Sequence, residues 1–389
     1  MAKGLVLAGG GAKGSYQVGV YKALEELGWQ PGVITGTSVG CLNGAMFATG
    51  QWAVAHDMWL SIDTRHVITD PPAPRPGNQV LNLLQDVAVN GGMDVTPLEN
   101  IVKRVLSEQA LRNAPVRFGL VTVNKRTLKP LEVSMEEIPE GQAADYLLAS
   151  AACFPAFEPR AIGEEEYIDG GYSDNMPIQL AVEMGADEVV AVDVDGIGIV
   201  RKAPEGIPIT YVRSYWDLGA ILTFDPVQAA YNMTLGYNDC YRAFGKLLGS
   251  AYSIRAGQEQ ALAQGFARPY AALLKQAIGE NPTLAFTEQA AFGGMDKAAD
   301  TDAKRVLLPL ERACELAGVD PLPIYTAQEL FSAFLQKVDL QLVERFSPLF
   351  CPDAGICLKE SAQAAAAPGD FLQALVYRSL TSEKEGEKE

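Results

Sequence analysis

The first fifty residues spell out strand, glycine turn and helix twice over, and that alternation limits the fold more than any other feature of the chain. Gly4–Ala8 is a short apolar run that stops at Gly9-Gly10-Gly11. A run of this length bounded by glycines suits a buried strand. Val20, Ala23, Leu24 and Leu27 follow at helical spacing, and Gly28 closes that helix. Val33–Thr35 is a second apolar run, leading through Gly36-Thr37-Ser38-Val39-Gly40 into a helix over Leu42–Ala48. Strands alternating with helices predict an α/β fold with a mostly parallel sheet covered on both faces.

The pattern continues to about residue 213. Thr96-Pro97-Leu98-Glu99 has the form of a capping box, with Thr96 as N-cap. Val116–Val123 and Leu131–Met135 are β-rich runs joined by Asn124–Pro130, which predicts a hairpin. Pro177–Met184 reads as a helix closed by Gly185, and Val189–Val194 and Ile209–Val212 as further strands. Beyond Tyr215 the strand signal fades. Gln258–Ile278 is rich in Ala, Leu and Gln, and Ala327–Phe350 has the spacing of an amphipathic helix carrying Phe331, Phe334, Phe346 and Phe350. Ala362–Gly369 reads as a low-complexity loop. These boundaries predict a first domain over 1–214, a helical region over 215–377 whose aromatic face completes a hydrophobic core or, in the alternative, covers a site or walls an acyl chain, and a disordered charged tail over 378–389. Asp70–Pro76, rich in proline, is a second candidate cover.

Charge narrows the partners. Asp and Glu outnumber Lys and Arg by 48 to 31, for a formal net charge of -17. Nucleic acid needs clustered cations and is excluded as an expected partner. Attraction to anionic membranes through bulk charge is unavailable too, which leaves apolar docking as the route to a membrane surface. No run of about 18 apolar residues is present. The apolar start is too short for a signal-peptide core, so the expected compartment is the cytoplasm. Cys351 and Cys357 have no histidine or further cysteine beside them to complete a metal site, and the six cysteines are expected to be reduced.

Three motifs carry chemistry. Gly9-Gly10-Gly11-Ala12-Lys13-Gly14 sits where a strand becomes a helix, so its backbone N–H groups can meet a developing anion. It also satisfies G-x-G-x-x-G through Gly9, Gly11 and Gly14, but the second strand ends in Gly36-Thr37-Ser38 and not in the acidic residue a dinucleotide site expects. Gly36-Thr37-Ser38-Val39-Gly40 matches G-x-S-x-G in the strand–turn–helix setting of a nucleophile elbow. A serine nucleophile needs a base. The chain has only two histidines: His56, in a helical stretch among Trp52, Trp59 and Leu60, and His66, before a proline-rich loop. The first reads as a packed side chain and the second as a surface one. Asp169-Gly170-Gly171 is the third motif, and an aspartate on such a turn can act directly on a serine within hydrogen-bond reach.

Together these motifs resemble the bacterial patatin-like phospholipases. The likeness extends through Tyr16-Gln17-Val18-Gly19-Val20 and Asn43-Gly44-Ala45, the segment Ala149–Phe157, and Asp169–Pro177, and covers about Lys3–Arg213. Lys13 stands where many members carry arginine, which keeps the cation and loses the planar fork. The resemblance implies a three-layer α/β sandwich and a serine lipid acyl hydrolase of phospholipase A or lysophospholipase type. It implies that Asp169 takes the proton from Ser38, that an acyl-enzyme forms, and that Gly9, Gly10, Gly11 and Val39 supply the oxyanion hole. Lys13, Gly14, Gly36, Gly40, Gly170 and Gly171 would support those turns. The substrate would be a lipid or fatty-acyl ester, reached through transient membrane contact, with no metal or organic cofactor. An acyltransferase using the same acyl-enzyme, a dinucleotide-binding oxidoreductase and a binding module without activity are the other readings, and the oligomeric state stays open.

Overall fold

A computed structural model of the chain describes residues 2–71, 93–280, 282–293, 302–350 and 357–385. They fall into two compact units, Met1–Ala243 and Phe244–Glu389.

The first unit is built on an eight-stranded sheet. In chain order its elements begin with β1 (Ala2–Leu7), α1 (Ser15–Glu26), β2 (Val33–Thr37), α2 (Val39–Ala48) and α3 (Trp52–Trp59). Next come α4 (Thr96–Val105), α5 (Glu108–Arg112), β3 (Arg117–Asn124), β4 (Pro130–Ser134) and α6 (Ala143–Ser150). The last are β5 (Arg160–Ile162), β6 (Glu165–Asp169), α7 (Ile178–Glu183), β7 (Ala186–Asp193), β8 (Ile209–Arg213) and α8 (Pro226–Ala243). The strand order is β5-β6-β3-β2-β1-β7-β8, with β4 paired to β3. The pairs from β3 through β8 are parallel, and β4, β5 and β6 add antiparallel pairing at one end. Every residue of β2 is buried, as is β1 from Gly4 to Leu7, so both faces of the sheet are covered.

Local chemistry explains two departures from the sequence reading. The fold does not break at 214/215: α8 packs along α1, where the Tyr16 hydroxyl donates to Asp239 Oδ2 at 2.6 Å and Arg242 pairs with the same carboxylate, so the first unit runs on to Ala243. The cap of α4 is also one step out. Its N-terminus is tied by Asp94, whose carboxylate accepts from the Thr96 N–H at 2.8 Å and hydroxyl at 2.6 Å. Glu99 instead pairs with Arg160 and Lys103. A carboxylate is a stronger acceptor than a threonine hydroxyl, so Asp94 takes the role expected of Thr96.

The second unit is mainly helical. It holds α9 (Glu259–Leu262), α10 (Arg268–Glu280), α11 (Thr283–Ala291), α12 (Asp302–Leu316), α13 (Ala327–Lys337), α14 (Leu340–Phe346), α15 (Leu358–Ala366) and α16 (Pro368–Glu385). Helix α16 is central, with Phe371, Leu372, Ala374, Leu375 and Val376 wholly buried. A three-stranded sheet of β9 (Leu247–Leu248), β10 (Ser253–Arg255) and β11 (Ile324–Tyr325) accompanies the helices. Strands of two or three residues are too short to show a period of two.

Three expectations for this region change. The helix expected over Ala327–Phe350 breaks at Val338, which is extended (ψ 139°), and Asp339 then caps α14 by accepting from the Gln341 N–H at 2.9 Å. The four phenylalanines are buried within this unit, Phe350 stacked on Phe371 and Phe346 edge-on to it. Ala362–Gly369, expected as a loop, lies largely in α15, since alanine is the strongest helix former. The charged tail expected from 378 continues α16 to Glu385, and 386–389 lie outside the described residues. Among the described residues no helix is long and apolar enough to cross a membrane.

Candidate active site

Strand register brings two distant motifs together. Thr37, the last residue of β2, pairs with Val121 of β3, and the next residue of β3, Thr122, pairs with Asp169 at the end of β6. Ser38 and Asp169 are 131 positions apart in sequence, yet they emerge side by side from the sheet. The Ser38 side chain comes close enough to the Asp169 carboxyl to oppose the rise in its pKa.

Ser38 sits at φ 56°, ψ -129°, a backbone conformation that non-glycine residues rarely adopt. The turn is tight enough that a Cβ on Gly36 would lie 2.4 Å from the Gly40 carbonyl, and one on Gly40 2.2 Å from the Leu7 carbonyl oxygen. Those two glycines are therefore steric requirements of the elbow. A residue absent from the motif reading holds the serine in place. The Ser38 N–H donates to Ser150 Oγ at 3.0 Å, and the Ser150 hydroxyl donates to the Val121 carbonyl at 2.7 Å. Ser150 is wholly buried, so the strained residue is anchored to β3.

The glycine-rich loop faces Ser38 and divides by what its N–H groups do. The Gly9 N–H donates to the Asn175 carbonyl at 3.1 Å. It is thereby committed, which removes Gly9 from the expected set of oxyanion donors. The N–H groups of Gly10, Gly11 and Val39 make no hydrogen bond among the described residues, and all three residues line the cavity beside Ser38. Gly11 adopts φ +56° against the Ile221 carbonyl. Gly14 packs on Val39, and Gly170 on the Val121 carbonyl. Lys13 turns away from the cavity: its ammonium donates to the Asp195 carbonyl at 2.9 Å and lies 3.8 Å from the Asp195 carboxylate, tying the loop to the segment after β7.

A buried polar chain supports this loop. Trp59 Nε1 donates to Asn43 Oδ1, Asn43 Nδ2 donates to Gln17 Oε1 and the Gly14 carbonyl, and Gln17 Nε2 donates to the Ala8 carbonyl, at 2.7–3.1 Å. Buried polar groups must be paired, and here their pairing fixes the backbone ahead of Gly9. Asn43 and Gln17 were visible in the sequence only as parts of the family pattern, because a polar residue inside a helix announces no partner.

Asp169 is buried, and that burial raises its carboxyl from 3.8 to about 6, against the lowering effects of the Gly171 N–H and the nearby Ser38 hydroxyl. The Gly171 N–H reaches Oδ1 at 2.8 Å. Neither histidine lines the cavity. His56 is half-buried against the Trp52 ring and bonded to Asp57, and His66 accepts from the Asp63 N–H on the surface. Cys153 does line the cavity, but burial pushes its thiol up to about 12, so it stays protonated.

The cavity holds about 880 Å³, and among the described residues its lining comes from the first unit. Its walls are mostly apolar: Met46 of α2, Met58 of α3, Ile101, Val102 and Val105 of α4, and Phe224. Leu98, Ile101, Val102 and Val105 recur at helical spacing on α4, so the wall was in the sequence as an ordinary amphipathic stripe. Ala327–Phe350, for which an acyl wall was the alternative to a core role, supplies none of the lining residues. Of the proline-rich cover, Pro71 lines the cavity, while 72–76 lie outside the described residues.

A family model of patatin-like phospholipases matches residues 5–182, from β1 through the Asp169 turn. Residues 5–182 belong to the patatin-like phospholipase family. The pattern read in the sequence is the bacterial one, yet related proteins occur among animals and fungi. Rat patatin-like phospholipase domain-containing protein 7 is 27% identical over 196 residues, 49% of this chain and 13% of that protein. Lysophospholipase nte1 of Aspergillus terreus is 30% identical over 207 residues, 52% of this chain and 12% of that protein. The chain thus matches about an eighth of these much longer relatives. Among solved structures, VipD from Legionella pneumophila aligns over 97% of this chain and 91% of its own, with 15% identity and a TM-score of 0.38.

Proposed function

We propose that this patatin-like chain is a serine lipid acyl hydrolase, of phospholipase A or lysophospholipase type, in which Ser38 and Asp169 form the catalytic dyad. The observation that carries this reading is the strained Ser38 beside a buried Asp169, both lining a large apolar cavity that neither histidine lines. Desolvation holds the carboxyl near 6, ionised at neutral pH yet a better proton acceptor than a solvated aspartate.

The ester carbonyl lies over Ser38 with its acyl chain along the wall of α4. The Ser38 oxygen forms the new C–O bond as its proton passes to the Asp169 carboxylate. The carbonyl oxygen takes up the charge and meets the N–H groups of Gly10, Gly11 and Val39. Collapse breaks the bond to the leaving alcohol, which takes the proton from Asp169 and leaves an acyl-enzyme. Water repeats the cycle: its proton goes to Asp169, its oxygen attacks the acyl carbon, and Ser38 regains a proton as the fatty acid departs.

A panel of phospholipids, lysophospholipids and neutral acylglycerols, assayed for released fatty acid, tests the reading. Wild type is expected to hydrolyse at least one phospholipid class, and Ser38→Ala none. Equal turnover by a folded Ser38→Ala protein would overturn it.

A further inference from the structure

The mouth of the cavity carries an apolar ridge. After β7 the chain runs Asp195-Gly196-Ile197-Gly198-Ile199-Val200-Arg201. Ile197 is 65% exposed, Ile199 56% and Val200 53%. Single exposed apolar side chains are ordinary on protein surfaces. These are consecutive apart from a glycine, and Ile197, Gly198 and Ile199 also line the cavity, so the exposed surface runs without interruption into the apolar interior. Tyr172, 45% exposed, borders the same opening.

The ridge is held rigidly to the Asp169 turn. The Ile199 N–H donates to the Gly171 carbonyl at 2.8 Å, and the Ile199 carbonyl accepts from the Asn175 N–H at 2.6 Å. The Arg201 guanidinium closes its far end on the Ser173 carbonyl at 3.1 Å. A loop fixed in this way keeps its apolar side chains outward without ordering anything on contact.

Among the described residues, the cations beside the ridge are already paired. Lys13 meets Asp195, Arg201 meets Glu132 at 2.6 Å, and Lys202 meets Glu205 at 2.8 Å. With the chain at -17, the ridge offers apolar contact and little for an anionic headgroup.

We infer that Ile197, Ile199 and Val200 seat the cavity mouth on a zwitterionic lipid surface. This rests on the lipid-ester reading of the site, since it supplies the route by which a membrane lipid reaches Ser38. Val200 is the residue to alter, because it is outside the cavity lining whereas both isoleucines are part of it.

Flotation with phosphatidylcholine vesicles, run beside hydrolysis of a short water-soluble ester, tests the inference. Wild type is expected to float with phosphatidylcholine vesicles and no better with phosphatidylglycerol vesicles. Val200→Asp is expected to lower the floated fraction about fivefold or more, with soluble-ester turnover within about twofold of wild type. Equal flotation of the two proteins, no flotation of wild type, or a preference for anionic vesicles would overturn the ridge. So would a wild-type dimer that Val200→Asp dissociates with no change in flotation, which would make a second copy the occupant. A failed lipid-ester reading looks different: neither protein would cleave any ester, while the difference in flotation would remain.

Discussion

The two walls of the cavity are built on opposite terms. Around Ser38 nearly every backbone position is fixed by a hydrogen bond or a steric limit: the Ser38 N–H on Ser150, the Gly9 N–H on Asn175, and Gly40 against Leu7. Across the cavity, α4 presents Ile101, Val102 and Val105, apolar side chains that any residues of similar volume could replace. The polar wall specifies positions, whereas the apolar wall specifies only a volume. Substitutions on the first should therefore cost orders of magnitude, and on the second small factors.

Asp169→Asn makes the sharpest break. It keeps the acceptor for the Gly171 N–H but cannot take a proton, and hydrolysis should fall by about a thousandfold or more. Stability should move the other way. The raised carboxyl favours the fold while protonated, so that contribution is complete below about pH 4 and lost as pH rises through about 6. A shift from 3.8 to about 6 corresponds to something on the order of 3 kcal/mol. The Asn variant escapes this loss and should melt at or above wild type at pH 7.5. A dead variant that also melts far lower would recast Asp169 as a structural residue.

Gly11→Val should come next, at about a hundredfold or more in turnover, since a side chain at φ +56° would displace the loop whose N–H groups meet the oxyanion. Wild-type turnover in a folded Gly11→Val protein would remove the loop from the reaction.

Ser150→Ala lies between the walls. It leaves the Ser38 N–H without its acceptor, and a loosened elbow should lower kcat about tenfold with KM nearly unchanged. A rise in KM at constant kcat would assign Ser150 to substrate binding.

These graded effects match what the sequence could disclose. Gly36, Gly40 and Ser38 were legible because each answers a local demand that only its residue type meets. Asp169 was legible as a turn, and its place beside Ser38 follows from the pairing of β3 with both β2 and β6, which no local pattern encodes. Gly9 shows the limit from the other side. Its motif is intact, but its N–H is engaged by Asn175, 166 residues away. Ser150 was one small residue among alanines, and the α4 stripe had the spacing of any helix that packs on a core. The aromatic content of Ala327–Phe350 suited a core or a cover alike, and those rings fill the core of their own unit.

The apolar wall should show the smallest effect. Val102→Ala removes two methyl groups from a buried lining position, for about 1 kcal/mol of stability, and hydrolysis of a short ester should stay within about threefold. A hundredfold loss in a folded protein would mean that α4 also specifies positions, and the contrast between the walls would fail.

Whether Asp169, with no histidine, activates Ser38 is decided by the pH dependence of covalent labelling. Wild type, Asp169→Asn and His56→Ala would be treated with a fluorophosphonate and the adduct mapped by mass spectrometry. One adduct is expected, on Ser38, forming about tenfold faster for each pH unit up to about 6 and levelling above it. His56→Ala should label like wild type and Asp169→Asn hardly at all. An adduct on another residue, or a folded His56→Ala protein that fails to label, would contradict activation by Asp169.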